Sequence, residues 1–295
     1  MDSYQECMIA FLDILGFKHI IDIALFDEVY KIFNAIASAD KEVKLLHKDI
    51  PFTETEVRKQ ELENYNAVLS DAKIYVMSDS IVIAVPNKYT QSLAVVADIC
   101  YVIQRQLYEL ETPVLVRGAI ALGHFYMSDS NSSSNNGDKT RGNTFVFGQG
   151  LVAAYLAQEN YAVNPRIIVE ASLIKDYMIS IDDKKWLKED KEDGYIYLDT
   201  LGRFLLQNNH IESNVAKDAE NREQLLTEEF KNRVCYEKFE KLIKNNLAGY
   251  NEASVRKKYV WLKKELEGIV KRYNEENGVI YLSENLYLDG RNATY

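Results

Sequence analysis

The chain predicts an α+β fold: helices on one face of a mixed, mostly antiparallel sheet, followed by a helical extension at its C-terminal end. Three features point there. An apolar strand pattern opens the chain, two strongly apolar strand patterns flank a short turn near residue 79, and amphipathic helical stretches separate these strands.

The elements follow in order. Residues 5–12 (QECMIAFL) form a short apolar run that ends in Asp13-Ile14-Leu15-Gly16-Phe17, a strand and then a turn. From residue 18 to about 48, apolar residues recur at helical spacing through Ile21, Leu25, Val29, Ile32 and Ile36. Residues 49–66 are charged and poor in core residues, and read as an exposed insertion with some helix. KIYVM and IVIAV then flank Ser78-Asp79-Ser80 as a hairpin. A helix follows over 91–110, ended by Pro113, and 114–122 (VLVRGAIAL) is the next strand. Residues 128–142 are polar and of low complexity, which predicts a loop. Beyond it come Phe145-Val146-Phe147, a helix over 151–158, a strand over 166–169 and another over 195–198.

Strand, helix, hairpin, helix, strand is the order of a split β-α-β, ferredoxin-like βαββαβ core. After residue 213 the character changes to two long helical patterns, 224–247 and 252–274. The expected organisation is therefore a main domain over 1–213 and a helical extension over 214–295.

Bulk composition narrows the function. The chain has 295 residues, 47% hydrophobic and 27% charged, proportions of an ordinary soluble globular protein. Its net charge of -10 argues against duplex nucleic acid, whose binding relies on Lys and Arg neutralising phosphates. A small phosphate ligand held through metal ions remains compatible with that charge. Neither a signal peptide nor an apolar run near the roughly 20 residues of a membrane helix occurs, so a cytoplasmic protein without membrane attachment is expected. The three cysteines (Cys7, Cys100, Cys235) are far apart and read as reduced thiols.

The chemistry concentrates on two aspartates. Asp13 ends the first strand and Asp79 sits at the tip of a hairpin that this fold pairs beside it. Singly, each has a plain structural role: Asp13 as a helix N-cap, Asp79 as a turn residue. Together, two carboxylates among apolar strands call for cations to neutralise them. Two divalent ions about 3.5–4 Å apart, bridged by such aspartates, clamp the attacking and leaving oxygens of a phosphoryl displacement. Mg²⁺ or Mn²⁺ suits such an oxygen-rich site.

These segments resemble the class III adenylate/guanylate cyclases. Phe11-Leu12-Asp13-Ile14-Leu15-Gly16-Phe17 is similar to their first metal motif, and Met77-Ser78-Asp79-Ser80 to their hairpin motif, where Gly often precedes the aspartate. The stretch from Val116 to Gly123 resembles their Arg-x-Gly-Ile-x-x-Gly strand, and Phe145-Val146-Phe147-Gly148 the segment carrying a base contact. The resemblance implies that Asp13 and Asp79 hold two Mn²⁺ or Mg²⁺ ions, with the Ile14 carbonyl as a further ligand. It also implies that amides from Ile14 to Phe17, including Gly16 and Phe17, cradle a triphosphate, and that Phe11 lies beside the nucleotide. The reaction implied is that of a phosphorus-oxygen lyase, forming a 3′,5′-cyclic nucleotide and pyrophosphate, in a head-to-tail homodimer with sites at the interface.

Where purine cyclases read their base with Lys or Glu, four residues before the second aspartate, this chain has Tyr75. Phe145 stands where Asp, Thr or Cys is usual. Neither offers the polar group a purine edge uses, and both are bulky. This departure resembles the bacterial pyrimidine cyclases of the Pycsar anti-phage system, as do Gly148 to Glu159 and Arg256 to Leu262, and it implies UTP ahead of CTP as substrate. A purine cyclase and a catalytically degenerate nucleotide-binding module are the alternatives. The family's usual Asn and Arg fall here on Val152 and Leu156. Candidates to replace them are Arg117, Lys139 and Arg141, for which the competing readings are pairing within the strand layer (Arg117) and a solvated charged loop (Lys139, Arg141).

Overall fold

The computed structural model describes residues 4–46, 56–127, 145–177, 187–206 and 219–277. By compactness the chain divides into two units, Met1–Leu110 with Val114–Thr200, and Glu111–Pro113 with Leu201–Tyr295.

The first unit is built on β1 (Gln5–Ile14), α1 (Phe17–Ile23), α2 (Phe26–Ala37), α3 (Ala39–Leu46), α4 (Glu56–Asp71), β2 (Lys73–Met77), β3 (Ser80–Pro86), α5 (Ser92–Glu109) and β4 (Val116–Met127). Then come β5 (Val146–Phe147), α6 (Gln149–Tyr161), β6 (Ile167–Val169), α7 (Ala171–Asp176), β7 (Leu187–Glu189) and β8 (Ile196–Leu198). The sheet runs β2-β3-β1-β4-β6-β8-β7, with β5 paired to β4. Its first four strands are mutually antiparallel and stand in the order of a ferredoxin-like core, as expected. Only β4 and β6 pair in parallel among the described strands, so the fold is α+β with a mixed, mostly antiparallel sheet.

The alternation of β1 decides how the layers form. Met8, Ala10, Leu12 and Ile14 point to one face, opposite Val85, Ile83 and Ile81 of β3, and all are buried. That face lies under α5, a helix buried along nearly its whole length, with α2, α3 and α4 packed around it. Cys7, Ile9 and Phe11 point the other way, where α6 covers part of the sheet with Ala154 and Leu151. The helical layer on one face is therefore joined by α6 on the other.

Several elements differ from the sequence reading. The single helix expected over 18–48 is three, because Ala24 and Leu25 adopt extended backbone between α1 and α2, and Ser38 closes α2. The charged stretch read as an exposed, partly helical insertion supplies α4, which runs on to Asp71 and is not exposed throughout: its Tyr65, Val68 and Leu69 are buried. β4 runs five residues further than expected, to Met127, and β7 arises inside an acidic run. The loop over 128–142 lies outside the described residues.

A buried cation locks the β7–β8 end. Arg166 is 1% exposed and ion-paired to Asp190 and Asp193 of the β7–β8 turn, and its guanidinium lies 5.6 Å from the ring centre of Tyr197. Its carbonyl accepts the Gly118 amide at 3.0 Å, which ties this network to β4.

The second unit contains α8, which spans Thr200–Leu206 across the boundary, then α9 (Ala219–Gly249) and α10 (Ala253–Asn277). The latter two contact each other, and Tyr236, Phe239 and Ile243 of one and Trp261, Leu262, Leu266 and Ile269 of the other are buried at helical spacing. Arg256 donates to the carbonyls of Leu247 and Tyr250, placing a cation where the α9 dipole ends negative. The expected boundary after residue 213 lies outside the described residues. Among those described, no helix is long and apolar enough to cross a membrane.

Candidate functional site

The register of four strands lays out one face of the sheet in rows, because residues directly opposite each other share a face. The row at the C-terminal end of β1 reads Met77, Ser80, Asp13, Arg117. The next reads Tyr75, Val82, Phe11, Ala119, and the third Lys73, Ala84, Ile9, Ala121. α6 lies against the third row and beyond, and its Tyr155 meets Phe11 edge-on, ring centres 5.4 Å apart. The row of Asp13 is left partly open, with Met77 exposed and Asp13 and Arg117 half-buried.

Asp79 lies beside this row. The hairpin turns through Ser78 and Asp79, and the Ile14 amide donates to the Asp79 carbonyl at 2.9 Å. The end of strand one and the hairpin tip are thus adjacent at the backbone. Ser78 has a φ of 57°, the only non-glycine residue in left-handed backbone among those described. The turn demands it: a two-residue hairpin matching strand twist places its first central residue at positive φ, where glycine is usual.

Asp13 does not cap a helix. The N-cap of α1 is Gly16, at φ 74°, and no side chain bonds there. Asp13 Oδ2 instead accepts from Arg117 Nε at 2.8 Å, a pairing within the strand layer. The expected amide cradle also narrows. The Ile14 amide is used by Asp79, and the Leu15 amide donates to Leu115 at 2.9 Å. Gly16 and Phe17 are left as its amides, at the start of a helix whose Phe17 ring is buried edge-on against Phe33.

The donor set suits a hard cation. Two aspartates and main-chain carbonyls are all-oxygen ligands, and Mg²⁺ commonly binds one or two carboxylates and completes its shell with substrate phosphates and water. Among the described residues no group of three or more His, Cys, Asp or Glu is placed to hold a metal ion.

Tyr75 and Phe11 both pack on the apolar cluster of this face, one row from Asp13. Phe145 is not with them. It is exposed and precedes β5, which pairs with the far end of β4 at Tyr126 and Met127. From Arg117 to Met127 is ten residues, about 30 Å of extended strand. Val152 and Leu156 lie exposed on α6 together with Tyr155. Lys139 and Arg141 fall outside the described residues.

Tyr155 has no site role in the sequence reading. Its phenol is held above its ordinary pKa by a hydrogen bond to Glu159 and by that residue's charge. The i, i+4 spacing of the two residues was the available signal.

No family model matches the chain. No curated protein matches it either. Solved structures with some likeness include the catalytic core of a rhodopsin-guanylyl cyclase of converted specificity bound to ATPαS (12% identity, TM-score 0.40, 66% of this chain and 96% of that one). Others are the guanylate cyclase domain of RhGC from Catenaria anguillulae with GTP (11%, 0.39, 66% and 94%) and a bacterial light-regulated adenylyl cyclase (12%, 0.39, 69% and 95%). Scores this low are no basis for assigning either family or activity.

Proposed function

We propose that the chain is a nucleotide cyclase that converts UTP, or CTP, to the 3′,5′-cyclic monophosphate and pyrophosphate, and so makes a second messenger in anti-phage defence. The observation that carries this reading is the backbone contact between Ile14 and Asp79, which sets the two aspartates at adjoining corners of one sheet. Asp13, Asp79 and the Ile14 carbonyl would hold Mn²⁺ or Mg²⁺. When bound, such ions lower the pKa of a ribose 3′-hydroxyl and neutralise phosphate charge. The chain's own residues would orient the substrate: the amides of Gly16 and Phe17 would meet the phosphates, and Phe11 and Tyr75, in one row on either side of Val82, would lie beside the base. The reaction is attack of the 3′-oxygen on the α-phosphorus with pyrophosphate leaving.

The pyrimidine preference rests on Tyr75. It packs on the same apolar cluster as Phe11, with Val82 between them, and puts a bulky phenol where a purine reader would carry a longer charged head. A homodimer completes the site, because Phe145 lies too far along β4 to meet the aspartates of its own chain. Val152, Tyr155 and Leu156 give α6 an exposed apolar stripe suited to a second copy.

The test is incubation of the purified protein with Mn²⁺ and each of the four ribonucleoside triphosphates. Cyclic UMP or cyclic CMP is the expected product. Cyclic AMP or cyclic GMP alone would defeat the pyrimidine assignment and leave a purine cyclase. Binding of metal and nucleotide without product from any of the four would leave a degenerate nucleotide-binding module.

A further inference from the structure

We propose that Arg117 is a built-in counter-ion that occupies Asp13 in the metal-free protein and is released when a divalent cation binds there. The inference rests on the two-aspartate reading above. Its geometry is fixed by register: Asp13 and Arg117 are directly opposite on β1 and β4, with Nε 2.8 Å from Oδ2. Both side chains are largely removed from solvent, 20% and 24% exposed, so a bare Asp13 would be costly and a guanidinium is its natural neutraliser.

The two carboxylates are not equivalent. Asp13 carries this internal cation, whereas no ion pair involves Asp79 among the described residues. Arg117 is also held in place from behind. The next residue, Gly118, donates its amide to the Arg166 carbonyl, and Arg166 is anchored by Asp190 and Asp193. The backbone of Arg117 is thus anchored through its neighbour, and release by rotation of the Arg117 side chain toward the open end of the row leaves those contacts intact. A cation at Asp13 competes with the guanidinium for the same oxygen, so the pair lowers the protein's affinity for metal.

The test is a Mn²⁺ titration of the full chain without nucleotide, reading free Mn²⁺ by electron paramagnetic resonance. Four proteins are compared: wild type, Arg117→Gln, Asp13→Asn and Lys73→Met, with folding checked by circular dichroism. Arg117→Gln is expected to bind Mn²⁺ about 3- to 5-fold more tightly, a modest gain for a partly exposed pair. Lys73→Met removes a positive charge from the same face two rows away and is expected to stay within about twofold of wild type. Unchanged or weaker binding by Arg117→Gln, with Asp13→Asn still losing the ion, overturns the counter-ion while sparing the metal site. Equal tightening by Lys73→Met reduces the effect to general repulsion and overturns it too. Binding by Asp13→Asn as tight as wild type removes the metal reading and the counter-ion together. Should Arg117→Gln not fold, Arg117→Met makes the same comparison.

Discussion

Replacing either of two glycines with alanine separates backbone strain from steric conflict in this fold. Gly148 has a φ of 152°, and a Cβ built there would lie 2.2 Å from the His124 carbonyl oxygen and 2.7 Å from the Phe125 Cα. Both are backbone atoms of β4, so neither can swing aside as a side-chain tip would. Relief requires the start of α6 to lift from the strand. Strained backbone costs about 1–3 kcal/mol and overpacking a similar amount, which gives roughly 4 kcal/mol for Gly148→Ala. Gly16 also has positive φ, 74°, but nothing lies within 4 Å of its built Cβ. Gly16→Ala therefore carries only the conformational cost, about 1 kcal/mol. For a unit of this size the two melting points should fall by about 10 °C and about 3 °C. Thermal unfolding followed by circular dichroism, with urea titration as a second measure, tests the difference. Equal losses at the two positions would refute the steric reasoning, and a Gly148→Ala protein as stable as wild type would refute the close approach of α6 to β4.

Three further outcomes are expected. Ser78→Gly should stabilise the protein by up to about 1 kcal/mol in urea unfolding, since glycine takes the φ of 57° without penalty. Burial pushes the Cys7 thiol from 9.0 up to about 11, so the native state keeps a proton that the unfolded chain releases. Its contribution to stability is complete below pH 9 and fades between pH 9 and about 11, a slope that Cys7→Ala should flatten in unfolding measured across that range. If the proposed composite site is right, mixing an Asp79→Ala chain with a Phe145→Ala chain should recover part of the proposed cyclase activity that each would lack alone, because one shared site would then have both intact contributors. Activity no greater than the sum of the two separate proteins would count against a composite site.

The parts of the fold that were legible are those where local pattern and tertiary packing agree. IVIAV reads as a strand because both of its faces are buried, by α5 on one side and by the α6 cluster on the other. The break within 18–48 leaves no such mark: apolar spacing of helical period persists through it, and the extended backbone at Ala24 and Leu25 has neither Gly nor Pro to announce it. The charged stretch hid the packing of α4 rather than its helicity: Tyr65, Val68 and Leu69, which are buried, gather near the C-terminal end of a largely polar helix. At the candidate site the aspartates could be found from motif spacing alone. Their neighbours could not. That Arg117 faces Asp13 follows only from the β1–β4 register, which no local pattern states. Phe145 and Tyr75, which sequence spacing treats alike, are separated by the length of β4 beyond the sheet core.

The location of the open row has a simple cause. A sheet face this apolar must be covered, yet α6 covers only part of it. The helix can begin close against β4 because Gly150 and Gly123 meet there without side chains: a Cβ on Gly123 would lie 2.7 Å from Gly150. From that anchor α6 runs over Ile9 and Ala121, and Tyr155 reaches Phe11. Beyond Phe11 the sheet face changes from apolar to charged, at Asp13 and Arg117, and a covering helix would bury an ion pair at little gain. The same glycine contact thus sets where cover begins, and the Asp13–Arg117 pair lies at the edge where it ends. Ionic residues left at the border of an apolar cover, beside a strained hairpin turn, are positioned to exchange one cation for another, which neither a fully buried nor a fully solvated pair could do as readily.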